Sequence, residues 1–262
     1  MLITMFLNRA LLGPILLSLC FVASAQDVRV PRITSVFTPP PKAKPSDDSA
    51  NLGPFTTGPK PAEVDDATKA KLEGLAKQYG EVARANFGLI IKTLQVKPAK
   101  KSKPVRIVVT YGYGGVAATS GAGFGSDPKT PVIEVSAKYA LAHPDDLGMI
   151  VHEMVHVVQS YPKYDPVWLV EGIADYVRWF YYEPADKRPH PNPAKVTARD
   201  SYRTTGAFLF WASNKYDVNL VPKLNAALTT NTYQESMFKD STGKTLDELN
   251  LEWLDSLKAQ TH

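Results

Sequence analysis

The chain has 262 residues, 44% of them hydrophobic, with a formal net charge of +4 at pH 7 and a single cysteine. A charge that small excludes neither sign of ligand by force, but it gives no argument for nucleic acid or an anionic surface as a partner. One cysteine allows no internal disulfide, so the folded part must be held by its core.

Residues 1–25 read as an export signal. Arg9 supplies the positive charge, Ala10 to Val22 is an apolar run, and Ala23-Ser24-Ala25 is an A-x-A cleavage site. The run is shorter than the roughly 18 residues a spanning helix needs, and Pro14 interrupts it, so no stable membrane anchor is expected. Leu19 precedes Cys20 where a lipid-attachment signal has a small residue, which makes Cys20 part of the leader core. The mature protein is therefore expected outside the cytoplasm, in a periplasm or secreted, without cysteine and without a cysteine-based latency switch.

Residues 26–61 are rich in Pro, Lys, Ser and Asp and include the polyproline-type run Thr38-Pro39-Pro40-Pro41. Such composition buries too little apolar surface to offset its ordering entropy, which predicts a disordered arm. Residues 62–262 make one domain of ordinary size.

Within that domain Ala62 to Gln95 is predicted helical, with Leu72, Leu75, Tyr79, Val82 and Ile90 at three- and four-residue spacings. Val105 to Tyr111 is a β-branched strand. Gly112 to Asp127 is a glycine-rich turn or flap, lacking the Lys-Ser/Thr of a phosphate loop. Pro131 to Ser136 is a second strand. Helices are expected over Asp145–Ser160, Val167–Tyr182, Ser201–Lys215, Leu220–Leu228, Tyr233–Lys239 and Thr245–Lys258, with Asp165-Pro166 as N-cap and first residue of the second. Strands early and helices late predict an α+β plan of two lobes with a cleft between them. The N-terminal lobe has a small sheet plus helices, and the C-terminal lobe is mostly helical.

The chemistry sits on the helix at Asp145–Ser160. His152-Glu153-Met154-Val155-His156 is an H-E-x-x-H motif. Residues four apart share a helix face, so both imidazoles can bind one metal ion, with Glu153 beside them as general base for a water. Leu147, Ile150, Val151, Met154, Val155, Val157 and Val158 surround the motif. Imidazoles and a carboxylate buried in that setting are costly unless paired or bound to metal.

Zinc in a hydrolase takes three protein ligands and keeps one open position. The next helix offers Glu171 and Asp175 on one face, among Trp168, Leu169, Val170, Ile173 and Ala174. Glu171 is the predicted third ligand. Asp175, one turn on, is predicted behind a histidine, accepting its free ring N–H. The reverse assignment, Asp175 ligating and Glu171 supporting, is the alternative. His143 and His190 lie in proline-flanked loops outside this set.

These residues resemble the gluzincin metallopeptidases, which share a Glu third ligand and a thermolysin-like, zincin fold. They resemble more closely the "basic secretory protein" peptidases of plants and bacteria. The likeness runs from about Gly115 to Leu257, through Gly115–Gly121, Ile133–Tyr139, His152–Gln159, Glu171–Arg178, Tyr202–Leu209 and Thr242–Leu246. The Gly121–Thr130 stretch is longer than the likeness leads one to expect, and the Pro-rich arm falls outside it. The resemblance implies zinc on His152, His156 and Glu171, Glu153 as catalytic base, and a strand near Ile133–Ser136 edging the cleft and pairing with a peptide. It also places Tyr202, at the start of the next helix, as donor to a reaction oxyanion. Tyr161, Tyr164 and Tyr176 are the other tyrosines in range. The expected activity is zinc-dependent hydrolysis of a peptide or protein substrate. The rival expectations are an inactive binding module on the same fold and an aminopeptidase, which would need an acidic group free to hold an α-amine.

Overall fold

The structure is a computed structural model that describes residues 28–40, 64–97, 103–120 and 130–260. The predicted leader and most of the predicted arm lie outside the described residues. The fold is α+β, with one four-stranded sheet and eight α-helices among those residues, and helix predominates.

The long helix α1 spans Asp66–Leu94. Asp65 caps it, its Oδ1 accepting from the Thr68 N–H at 2.8 Å. It ends at Gln95 in the left-handed conformation. Leu72, Leu75, Tyr79, Ala83, Phe87 and Ile90 form its buried stripe.

The strands are β1 (Ile33–Thr38), β2 (Val105–Thr110), β3 (Ala117–Ser120) and β4 (Val132–Ser136). Their order is β1-β2-β4-β3. β1, β2 and β4 run parallel, with Ile33 opposite Val105 and Arg106 opposite Val132. β3 closes the other edge antiparallel to β4, with Ala117 opposite Val135. Val105, Ile107 and Val109 are almost wholly buried, as are Ile133 and Val135.

Three elements depart from the sequence expectation. Residues 26–61 were expected to be disordered throughout, yet Ile33–Thr38 is a strand. The composition of a long window hides the local run Ile33-Thr34-Ser35-Val36-Phe37-Thr38, which is β-branched or aromatic at five of six positions. β1 is also received by a notch in α1. A methyl group on Gly80 would lie 2.5 Å from Ser35 Oγ, and Arg84 donates to the Ile33 carbonyl at 3.0 Å. The second departure is β3, four residues long, inside what reads as a glycine-rich flap. The third is α2 (Ala137–Ala142), capped by Ser136 directly after β4.

The remaining helices fall close to expectation. They are α3 (Gly148–Gln159), α4 (Val167–Val177), α5 (Tyr202–Lys215), α6 (Leu220–Thr229), α7 (Met237–Thr242) and α8 (Leu246–Gln260). Pro166 is the cap position of α4 rather than its first residue, and a wider π-turn, Arg178–Tyr182, carries the chain on from its end. α3 packs between α1, β3 and α4, and α4 packs in turn on α5. No helix among the described residues is long and apolar enough to cross a membrane.

Starting the chain at residue 64 removes β1 and bares the edge of β2. Loss of Ile33 burial alone is worth about 2 kcal/mol, which is roughly 4–8 °C in Tm for a domain of this size. Thermal unfolding of the truncated chain checks this. An unchanged Tm would show that β1 contributes nothing.

Candidate active site

α3 is apolar around most of its circumference, so its polar residues His152, Glu153, His156 and Gln159 are carried inside. His152 is 6% exposed, Glu153 6% and His156 5%. The helix stops at Ser160, which takes a left-handed conformation while its N–H bonds the His156 carbonyl. The chain then turns through Tyr161, whose hydroxyl donates to Asn225 Oδ1 at 2.7 Å, and enters α4.

α4 brings Glu171 and Asp175 to the histidines, and both are buried. The Glu171 Oε2 atom lies 3.0 Å from His152 Nε2 and 3.5 Å from His156 Nε2. The two Nε2 atoms are 3.1 Å apart. Asp175 Oδ1 lies 2.7 Å from His152 Nδ1. The geometry thus puts Glu171 in the cluster and Asp175 behind it. His156, Glu171 and His152 are the three residues whose ligand atoms converge. His143 packs at a tilt against Tyr139, and His190 lines a separate groove, so neither joins them.

Hydrogen-bond logic fixes how the imidazoles present themselves. A carboxylate only accepts, so His152 Nδ1 donates to Asp175. Gln159 Nε2 donates to the Val170 carbonyl at 3.2 Å, which turns its Oε1 toward His156 Nδ1 at 2.8 Å. His156 Nδ1 must therefore donate as well. Both neutral rings then aim bare Nε2 lone pairs at the Glu171 carboxylate.

Three lone pairs converging in a buried site repel one another unless a cation sits among them. Their separations match the donor set of a tetrahedral zinc, whose ligand atoms at about 2.0–2.1 Å from the metal stand about 3.3 Å apart. The metal-free electrostatics say the same. Burial disfavours a charge on His152, but hydrogen bonds to Asp175 and Glu171 outweigh it and push its pKa up to about 10. Burial raises Glu171 less than its bonds to His152 and His156 lower it, to about 2. Both shifts favour positive charge between the imidazoles and Glu171, so metal uptake at these residues competes with a proton.

Two glycines let α4 approach α5 closely. A methyl group on Gly172 would lie 2.1 Å from Thr205 Cγ2, and one on Gly206 would lie 3.0 Å from the Tyr176 nitrogen. Thr205 donates to the Ala198 carbonyl at 2.7 Å, tying the start of α5 to the preceding loop.

The cluster opens on a cleft of ≈ 850 Å³. Glu153 is held there by Thr119 of β3, whose hydroxyl lies 2.7 Å from Glu153 Oε2 and 3.1 Å from its main-chain oxygen. Tyr202 is 52% exposed, and its ring stacks on His152 with centroids 6.1 Å apart. Ser201 and Tyr202 both have positive φ, 65° and 45°, a costly start to a helix. Burial, the carboxylates of Glu171, Asp175 and Glu153, and a bond to Glu171 raise the Tyr202 pKa, so the phenol keeps its proton. Tyr164 also lines the cleft, its ring 6.1 Å from that of His156. Tyr161 and Tyr176 point elsewhere, to Asn225 and Tyr181.

A sequence model described as peptidase of plants and bacteria matches residues 73–253. The chain belongs to this family, the basic secretory proteins. No curated protein and no solved structure matches the chain.

For this basic secretory protein, one expectation about the cleft is corrected. β4 was expected to edge it, but β4 is flanked on both sides, by β2 and β3. The edge strand is β3, and Val116, Ala117, Ala118 and Thr119 line the cleft. Strand order is set by long-range pairing that no local pattern encodes. Thr119 and Gln159 were both within motifs quoted for the family likeness, but only their placement shows what they hold. A Thr in a short run of small residues and a polar residue ending an apolar helix are the signals that were available.

Replacing Asp175 with Asn keeps an acceptor for His152 Nδ1 but removes its charge. Affinity for a divalent metal at the cluster should fall by roughly 10–100-fold, measured by competition with a chromophoric chelator. Unchanged affinity would remove Asp175 from the support of the site.

Proposed function

We propose that this chain is an exported zinc metallopeptidase with a gluzincin-type centre on a two-lobed zincin fold. The observation that carries the proposal is the convergence of His152, His156 and Glu171 lone pairs with Glu153 held beside them. Membership of a peptidase family supports the reaction class, and the leader at residues 1–25 supports export.

His152, His156 and Glu171 would hold the zinc, which supplies Lewis acidity to a substrate carbonyl and makes water acidic enough to deprotonate near neutral pH. The chain's own groups do the rest. Thr119 fixes one oxygen of Glu153, so the carboxylate faces the cleft in one orientation. Glu153 accepts a proton from the attacking water and delivers it to the leaving nitrogen. The Tyr202 phenol, kept protonated, donates to the oxyanion that forms at the carbonyl.

The outer edge of β3, unpaired among the described residues, positions the substrate. Ser136 donates to the Val116 carbonyl at 3.0 Å, which makes 116–136 a bonded pair and, by alternation, 118–134 another. The main-chain groups of Ala117 and Thr119 therefore face away from β4. Tyr113 donates to the Ala117 carbonyl at 3.2 Å, and the remaining groups of that edge can add a peptide as a further strand.

Cleavage within a chain is favoured over aminopeptidase action. Among the described residues, the cleft carboxylates outside the metal cluster and Glu153 are already engaged. Asp146 takes Arg178 and Tyr139, and Asp200 takes Thr197.

Metal analysis of the protein from Gln26 onward, beside cleavage of an unfolded protein, tests the reading. One zinc per chain with chelator-sensitive cleavage is expected, and a folded protein that takes up no zinc would end it. Glu153→Gln should keep the zinc and lose at least about a thousandfold in kcat. Tyr202→Phe should lower kcat by roughly a hundredfold with little change in KM. An unchanged kcat would transfer the oxyanion role away from Tyr202.

A further inference from the structure

The cleft is asymmetric in charge. At the end beside the start of α3, two guanidinium groups, Arg178 and Arg203, each lie 4.5 Å from the centroid of the Trp179 ring. Their circumstances differ. Arg178 is nearly buried and bonds Asp146, with Glu183 3.7 Å from its Nε. Those two carboxylates are thereby taken. Arg203 is exposed on the cleft wall, one residue after Tyr202. Among the described residues, no carboxylate lies in ion-pair range of Arg203 and none accepts a hydrogen bond from it. Asp200, on the same wall, has both oxygens bonded by Thr197. The ring beneath Arg203 is itself rigid, since Trp179 is only 8% exposed. A guanidinium pinned on a fixed aromatic face has lost side-chain freedom in advance and keeps its planar fork of donors for an incoming anion.

We infer that Arg203 selects the substrate by binding a peptide carboxylate at this end of the cleft. The inference rests on the peptidase reading and deepens it. The carboxylates at this end are engaged and leave nothing for a basic group to meet, whereas an anionic group of the peptide would pair bidentately with Arg203, which has no carboxylate partner among the described residues. The carboxylate belongs either to an Asp or Glu side chain within the peptide or to the peptide's own C-terminus, and the two are separable by experiment.

The zinc-loaded Glu153→Gln protein, which binds without turnover, is titrated with labelled peptides followed by fluorescence anisotropy. One series is blocked at both ends and carries Glu, Gln or Lys at each position in turn. A second series has no acidic side chain and ends in a free acid or an amide. The expected result is binding on the order of tenfold tighter for one carboxylate-bearing member than for its neutral match. Adding Arg203→Gln abolishes that difference, and adding Arg203→Glu turns it into a preference for Lys. Discrimination in the first series assigns the side chain, and discrimination in the second assigns the terminus. Retained zinc content and circular dichroism show that the variants are folded. Equal binding of charged and neutral peptides, or a preference that survives Arg203→Glu, overturns the inference. Cleavage by the wild type would in that case leave the peptidase reading standing. No peptide binding together with no cleavage by the zinc-loaded wild type overturns both.

Discussion

Everything in this molecule that bears on chemistry depends on one buried electrostatic demand. Asp175 and Gln159 each take the Nδ1 proton of one histidine, and Glu171 adds a carboxylate oxygen to the two Nε2 atoms so exposed. The arrangement is unstable in itself, because three lone pairs meet where water cannot separate them. A cation among them relieves that repulsion. The raised pKa of His152 reflects the same demand for positive charge. A divalent ion with tetrahedral preference meets it more fully. The two supporting residues are as necessary as the three donors, since without them either ring could turn its protonated nitrogen inward.

Holding five polar side chains in such a place requires unusual helix packing. α3 contributes three of them, and Glu153 besides, to a helix whose other side chains are Val, Ile and Met, so the helix cannot leave the core without exposing that surface. α4 must then come close enough for a Glu to reach across. Gly172 and Gly206 remove the side chains that would keep α4 and α5 apart, with Thr205 filling the space. The same contact sets the start of α5. Thr205 bonds Ala198, Ala198 bonds Asn250 of α8, and Arg199 bridges Asp247 and Glu235. Ser201 and Tyr202 take their positive φ values between these fixed points. Strain at two residues that face the cleft, secured by bonds from α8, is the pattern expected where a side chain must be presented in one orientation.

The helices other than α2 and the cluster of His152, His156 and Glu171 were legible in the sequence because their signals are local. His152 and His156 are a turn apart, and an apolar run around them implies burial without any knowledge of the fold. Glu171 and Asp175 needed one further step, a turn of known length between two helices. Even so, which of them reaches the cluster was an argument from side-chain length until the structure placed Asp175 behind His152. What was not legible depends on pairing at a distance. β1 is a strand because Gly80 and Arg84, more than forty residues later, accommodate it. β3 is an edge because β2 already occupies the far side of β4. Gln159 looks like a polar helix terminus until Val170 fixes which end of its amide faces His156.

The distribution of charge across the cleft follows from the same demand. The centre needs negative groups, and it draws in Glu171 and Asp175, with Glu153 tethered to Thr119 beside them. Asp146 and Asp200, the other acids of the cleft wall, are bound by Arg178 and by Thr197. On the proposed reading, a peptide entering the cleft meets donors. They include the outward main-chain amides of Ala117 and Thr119, the phenol of Tyr202 and the guanidinium of Arg203. A peptide backbone presents carbonyl acceptors along its length, so a donor-lined trough beside a cation-demanding centre binds amides without competing for the metal. An acid left free on that wall would attract the metal or a substrate amine away from the productive position. On the proposed peptidase reading, the engagement of each described acid of the cleft by a residue of its own does two tasks at once: it positions the site's polar groups, and it leaves the cleft with the polarity that a peptide would meet.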